Sequence, residues 1–241
     1  MASPEMQEPA FSAWLESPGG ERVWAWCEEV VDRFVADVFG FYAIQLGLPQ
    51  RDLLASCRIP WRWRCDPEGG EVRAAWDELP FEANALDLVV VPFALDRSAD
   101  PHALLREIER VLVPEGHALF FGFNPWYPWR LLLRRERWPH LPGSMTVPRL
   151  KDRLLVLGFE PRGGRFGLYA PPGNGAPSRA RRAFEAAGDR WWPLLGGVYV
   201  LDAVKRVPGM RIIQPDWQKR KKQRAERLAA IAERARLERR S

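Results

Sequence analysis

Between Leu79 and Asn124 the chain reads LPFEANALDLVVVPFALDRSADPHALLREIERVLVPEGHALFFGFN, and the order of its parts leaves little freedom of fold. A short polar turn (Glu82, Ala83, Asn84) leads into Leu86–Val91, an apolar run of strand length. Asp100-Pro101 has the form of an N-cap followed by proline in the first turn of a helix. Leu104, Leu105, Ile108, Val111 and Leu112 then recur at helical spacing, with Arg106, Glu107, Glu109 and Arg110 between them. Pro114-Glu115-Gly116 is a stop signal, and His117–Phe123 supplies a second apolar run. Strand, helix and strand in this length predict a right-handed parallel crossover. Apolar runs without polar alternation predict strands covered on both faces, so the sheet belongs to an α/β domain.

The same residues carry a resemblance. Leu79-Pro80-Phe81, the Leu86–Val90 run and Arg110-Val111-Leu112 with Pro114 and Gly116 fall in the order of the middle of a class I S-adenosylmethionine (SAM)-dependent methyltransferase of the type 11 kind. In that family they mark the fourth strand, the next helix and the fifth strand. The resemblance implies a Rossmann-like, seven-stranded, mostly parallel sheet with helices on both faces. It extends over about residues 21–207, densely in 79–123 and thinly before 72. The expected organisation is an N-terminal lead over 1–20, the α/β domain over 21–207 and a basic tail, helical or disordered, over 208–241.

With 241 residues, 46% of them apolar, and twelve tryptophans, the chain has ample material for one sizeable core. No apolar run approaches the ~20 residues that span a bilayer, and the first ten residues lack a signal-peptide pattern. Cys27, Cys57 and Cys65 share no metal-ligand spacing and read as reduced thiols, and His102, His117 and His140 are as scattered, so no metal is expected. These features together predict a cytoplasmic protein. The net charge of +5 is unevenly placed. Residues 216–241 hold ten Lys/Arg against four Asp/Glu, whereas 1–215 hold 26 against 27. The body is neutral and the tail is basic, a pattern that suits either a solvated tail or a weak contact with nucleic-acid phosphates.

Along the chain, Ser17–Gly20 reads as a turn and Glu21–Phe39 as a helix with Val23, Cys27, Val30, Val31, Phe34 and Val38 on one stripe. Phe41–Leu46, Arg58–Cys65 and Val72–Ala75 are the expected first three strands. Arg130–Arg137 is expected as a short basic helix, and Thr146 caps a helix through Leu157. Residues 160–170 are expected as the sixth strand, Ala180–Gly188 as a helix, and Gly197–Val207 as a seventh, antiparallel strand.

Carried onto these residues, the resemblance implies a SAM site at the carboxyl ends of the strands. The family's first strand ends in an acidic residue and a glycine-rich turn, because glycine lets the backbone approach a nucleoside closely. Here Gln45 stands for the acid and Gly47 is the one glycine; an alignment on Gly40 is the alternative. Asp66 falls where a ribose-binding acid ends the second strand; Asp66-Pro67-Glu68-Gly69-Gly70 also reads as a plain turn that the aspartate initiates. Asp77, Glu78 and Leu79 lie near the adenine position, where Ala75 stands in place of the family's usual acid, and Phe93 follows the fourth strand. Asn124, Trp126, Tyr127 and Trp129 form a proline-rich aromatic loop that reads either as the wall of an apolar acceptor pocket or as a rigid turn over packed rings. No catalytic residue is identified. Two functions follow. One is SAM-dependent methylation of a small-molecule or lipid-like acceptor. The other is a methyltransferase-like scaffold without turnover, associated with RNA through its tail.

Overall fold

The computed structural model describes residues 8–36, 38–130, 138, 139, 141, 143–171 and 178–206. The expected basic tail and the expected helix beyond Arg130 fall outside them. Helices α1 (Glu8–Leu15) and α2 (Pro18–Val35) precede β1 (Tyr42–Leu46) and β2 (Trp61–Cys65). There follow β3 (Leu86–Pro92), α3 (Ala94–Arg97), α4 (Pro101–Val111) and β4 (Leu112–Phe123). The described chain ends with α5 (Val147–Val156), β5 (Phe159–Gly167), α6 (Arg179–Trp191) and β6 (Val198–Lys205). The strands form one sheet in the order β2-β1-β3-β4-β6-β5. β1 to β4 are mutually parallel, and β6 runs antiparallel to both its neighbours.

The apolar runs do what covered strands require. Along β3, Leu88 and Val90 join the core beneath α2, whereas Val89 and Val91 join the core beneath α4. Leu119 and Phe121 of β4 face the first core, and Ala118 and Phe120 face the second. Strict alternation within an almost wholly buried strand is the signature of a sheet sandwiched between helical layers. α4 is held as its sequence implies. The Asp100 carboxylate accepts from the His102 and Ala103 amides (2.9 and 3.0 Å), and Leu104, Leu105, Ile108 and Val111 are buried.

Three expectations change. Ser17–Gly20 is no separate turn: Ser17 caps α2, its hydroxyl accepting from Gly20 N, and Pro18 takes the first helical position. A Cβ on Gly20 would lie 2.3 Å from Leu15 Cα, so glycine there allows the tight α1–α2 corner. Next, β4 starts at Leu112, directly after α4, and Pro114-Glu115-Gly116 sits inside the strand, with Glu115 at φ 68 as a local irregularity. Finally, Val72–Ala75 forms no strand. Only Val72 bridges, in parallel, to Cys65 before the chain turns at Ala75–Glu78, so the sheet has six strands among the described residues rather than seven.

The link from β1 to β2 has its own solution. Residues 47–60 contain turns and no helix. Two side chains replace a helix's internal hydrogen bonds. The buried Gln45 amide donates to the carbonyls of Gly47, Leu48 and Arg51 at 2.8–3.1 Å and accepts from Leu53 N at 2.8 Å. Arg62 donates to the carbonyls of Leu54, Ala55 and Cys57. The face this loop leaves open is covered by α2, whose Val23, Cys27 and Val30 share a core with Leu48, Leu53 and Ile59. In the described part of the chain no helix is long and apolar enough to cross a membrane.

Candidate functional site

In an open parallel sheet, ligands bind beyond the carboxyl ends of the strands where the strand order reverses. Here that point lies between β1 and β3. Gly47 leaves β1 at φ +95, and its amide donates to Cys65 O at the end of β2. Around it stand three side chains from three different segments. Asp66, next after β2, is 4% exposed. Its Oδ1 accepts from Glu68 N at 2.9 Å and so initiates the following turn, while its Oδ2 is buried with no hydrogen-bond partner. Burial holds this carboxyl above the usual range, against the Glu68 amide that lowers it. Trp76 lies so close that a Cβ on Gly47 would meet its Cζ2 at 3.5 Å, and the Trp76 indole N–H is likewise buried without an acceptor. Arg97, at the end of α3, brings its Nη1 to 3.4 Å of the same position. Its guanidinium lies 4.9 Å over the Trp76 ring and 5.3 Å over Phe11. Burial pushes the Arg97 pKa down to about 10.

Further along the strand ends, the chain's own rings fill the space. Phe93 adopts φ 57, unusual for a bulky residue, and its ring stacks on Phe123 at 4.5 Å. Phe11 and Trp14 of α1 pack edge-on to Phe123 at 6.0 and 5.7 Å, and Trp138 does so at 5.5 Å. Behind Phe93, the Asp96 carboxylate is wholly buried. It accepts from Phe123 N at 2.9 Å and is bonded by the Ser144 side chain, which ties β3, β4 and the 143–145 segment together.

Comparison with known proteins places this architecture. Residues 62–120 match the family model described as "Methyltransferase domain". The fold matches a chain from the complex between the Haloferax volcanii Trm112 methyltransferase activator and a candidate methyltransferase. The TM-score is 0.56 at 19% identity, over 82% of this chain and 96% of that one. It also matches a SAM-dependent methyltransferase of Archaeoglobus fulgidus, with a TM-score of 0.53 at 15% identity, over 75% and 94%. The chain has the class I methyltransferase fold. Sequence relatives include the uncharacterized protein YafS of Escherichia coli, 27% identical over 158 residues, and an uncharacterized protein of Mycobacterium tuberculosis, 28% identical over 200 residues. These alignments cover 63% and 75% of this chain and span 66% of each relative's length.

Against that methyltransferase fold, the residues singled out in the sequence divide clearly. Gly47 stands at the reversal point, and Asp66 directly follows Cys65, whose carbonyl accepts from the Gly47 amide. Asp77 and Glu78 are nearby in sequence to Trp76 but point outward and are exposed. Leu79 is committed elsewhere: its amide donates to Glu107, its carbonyl accepts from Arg110, and its side chain lies in the α4 core. Phe93 is a core ring with no exposed surface. Asn124 is fully employed, its Nδ2 donating to Leu194 O and Gly196 O and its Oδ1 accepting from Trp126 N. The Tyr127 hydroxyl donates to Ala170 O, the Trp129 indole to Tyr169 O, and Trp126 lies on the surface. The 124–129 loop is therefore a rigid turn that fastens β4 to the segments flanking α6, with packed rings beneath it. Trp76 and Arg97 are the two residues that sequence reasoning passed over. A tryptophan within the polar Glu71–Glu78 stretch, one place before the expected adenine contacts, was the available signal for the first.

Gln45 explains why the family's acid is absent. Three carbonyl oxygens surround its amide, and only a donor satisfies them. Restoring an acidic residue with Gln45→Glu would set a carboxylate against those oxygens. The expected cost is about 3 kcal/mol or more, read as a large drop in melting temperature; an unchanged melt would contradict the clasp.

Proposed function

We propose that this protein is a SAM-dependent methyltransferase whose nucleoside-binding corner is formed by Gly47, Asp66 and Trp76. The observation that carries this reading is a pair of complementary unmet groups beside one glycine: a buried acceptor, Asp66 Oδ2, and a buried donor, Trp76 Nε1. Leaving either group unpaired costs about 1–3 kcal/mol. An adenosyl group offers what both lack, ribose hydroxyls that donate and ring nitrogens that accept. Gly47, at φ +95 and free of a side chain, adds no bulk of its own to the corner that Trp76 and Arg97 border. The flat face of Trp76 suits an aromatic base. The bound donor supplies the electrophilic methyl. The protein's part is to orient and desolvate the reacting groups, for which alignment matters more than an acid–base pair.

A second reading has its own support. Trp76 and Arg97 already stand over Gly47, and the turn after β1 is clasped by Gln45 instead of opening a helix. A methyltransferase-like scaffold without turnover would keep these features and need no donor.

Calorimetric titration of the full chain with SAM separates the two. The methyltransferase reading expects micromolar affinity that falls about tenfold or more in Asp66→Ala, as loss of a hydrogen-bonded carboxylate implies. No heat at millimolar SAM selects the scaffold.

A further inference from the structure

On the other side of Arg97 a second cavity opens, with a volume of about 440 Å³. It lies between the entrance of α4 and the first turns of α5. Its polar lining is almost entirely cationic or hydroxylic: Arg97, Ser98 and His102 from one side, Ser144, Arg149 and Arg153 from the other. Among the described residues no carboxylate belongs to the wall. Arg149 and Arg153 are one turn apart on α5 and so lie on the same face. The Arg153 guanidinium is held 2.9 Å from the Met145 sulfur, a weak acceptor that carries no charge of its own. Burial and then the neighbouring Arg149 lower its pKa, with only Asp100 acting against them. The Asp100 Oδ1 that faces the helix is already engaged by two backbone amides.

Placing like charges at i and i+4 in the wall of one cavity works against folding. Such an arrangement is stabilised when a multivalent anion enters. A carboxylate is satisfied by one guanidinium in a two-pronged pair, whereas the Arg149 and Arg153 guanidiniums, with the His102 imidazole and the Ser98 hydroxyl in the same wall, match a phosphate, with its three free oxygens and nearly two charges. The space left over exceeds that of a bare phosphate and lies in the range of small-molecule sites. Arg97 borders both places: the residue belongs to the wall of this cavity, and its guanidinium stands beside Gly47. The aromatic loop at 124–129, in contrast, spends its polar groups on the chain itself.

We infer that the cavity between α4 and α5 binds the phosphate of a phosphorylated small molecule, which is the methyl acceptor. The identification of that ligand as the acceptor rests on the methyltransferase reading; the phosphate site itself does not. Titration of the full chain with inorganic phosphate, followed by calorimetry and melting temperature, tests it. Wild type is expected to bind phosphate and to be stabilised by it, and to respond much less to acetate. R149A/R153A is expected to weaken phosphate binding about tenfold or more, the loss of two charge-assisted contacts, while R149K/R153K keeps part of it. The basic residues beyond 215 are present in every sample, so the difference between variants isolates the cavity. A phosphate response equal to that of acetate, or one unchanged in R149A/R153A, overturns the inference. Titration of the same samples with SAM keeps the two claims apart. Phosphate binding without SAM binding leaves the cavity standing and removes the methyltransferase; SAM binding without phosphate does the reverse.

Discussion

Phe123→Ala is expected to lower the stability of the full chain by about 4 kcal/mol, the usual size of a buried phenylalanine truncation that the surroundings cannot close. The residue is 2% exposed and touches four rings from three separate segments: Phe11 and Trp14 of α1, Phe93 after β3, and Trp138. Stiff rings meeting edge to face collapse poorly into a void, so most of the cavity persists. The change acts on more than the core. α1 reaches the strand ends through Phe11 and Trp14, so its hold on the sheet weakens as well. Urea unfolding gives the free energy, and proteolysis within residues 8–17 reports the release of α1. A loss below about 1 kcal/mol would mean that the rings are not packed as described.

Asp96 gives the second large effect, and it depends on pH. Burial raises its carboxyl from 3.8 to about 8, against the Phe123 amide, Ser144 and Arg130, which lower it. Between about pH 4 and pH 8 the folded protein therefore holds a proton that the unfolded chain has lost. The contribution to stability is complete below that window and falls as pH rises through it, with a limiting slope of about 1.4 kcal/mol per pH unit. Asp96→Asn is neutral throughout and keeps an oxygen for the Phe123 amide. It is expected to match wild type near pH 4 and to become progressively more stable than wild type toward pH 8. Urea midpoints at four or five pH values check this, and parallel curves for the two proteins would contradict it.

How much was legible beforehand follows from the physics of each segment. The β3–α4–β4 unit could be read because its signals are local and mutually consistent: a proline after an aspartate cap, a helical apolar stripe, and apolar runs on either side. The chirality of parallel crossovers then fixed the layer arrangement. The β1–β2 link was not legible. It is stabilised by Gln45 and Arg62 reaching carbonyls up to eight residues away in sequence, and no pattern in the sequence marks a side chain as a substitute for a helix. The Val72–Ala75 strand failed for a related reason. A single β-branched residue between Glu71 and Arg73 provides too little to extend pairing beyond one bridge. At the candidate site, Gly47 and Asp66 were readable because the end of a strand fixes their place. Asn124, Tyr127 and Trp129 were ambiguous, since an aromatic loop reads alike whether its rings face a ligand or one another. Trp76 and Arg97 come from segments that share no motif and meet only in the folded chain.

Whether a nucleoside completes the corner beside Gly47 decides the donor assignment, and the Trp76 indole N–H reports on that directly. In a nitrogen–proton correlation spectrum its resonance is assigned by its absence in Trp76→Phe. Titration with S-adenosylhomocysteine, the product form of the donor, is expected to shift that resonance strongly as the buried N–H gains an acceptor, and to leave exposed indoles such as that of Trp192 unmoved. A Trp76 signal that stays in place at saturating ligand would contradict the assignment of this corner as the donor site.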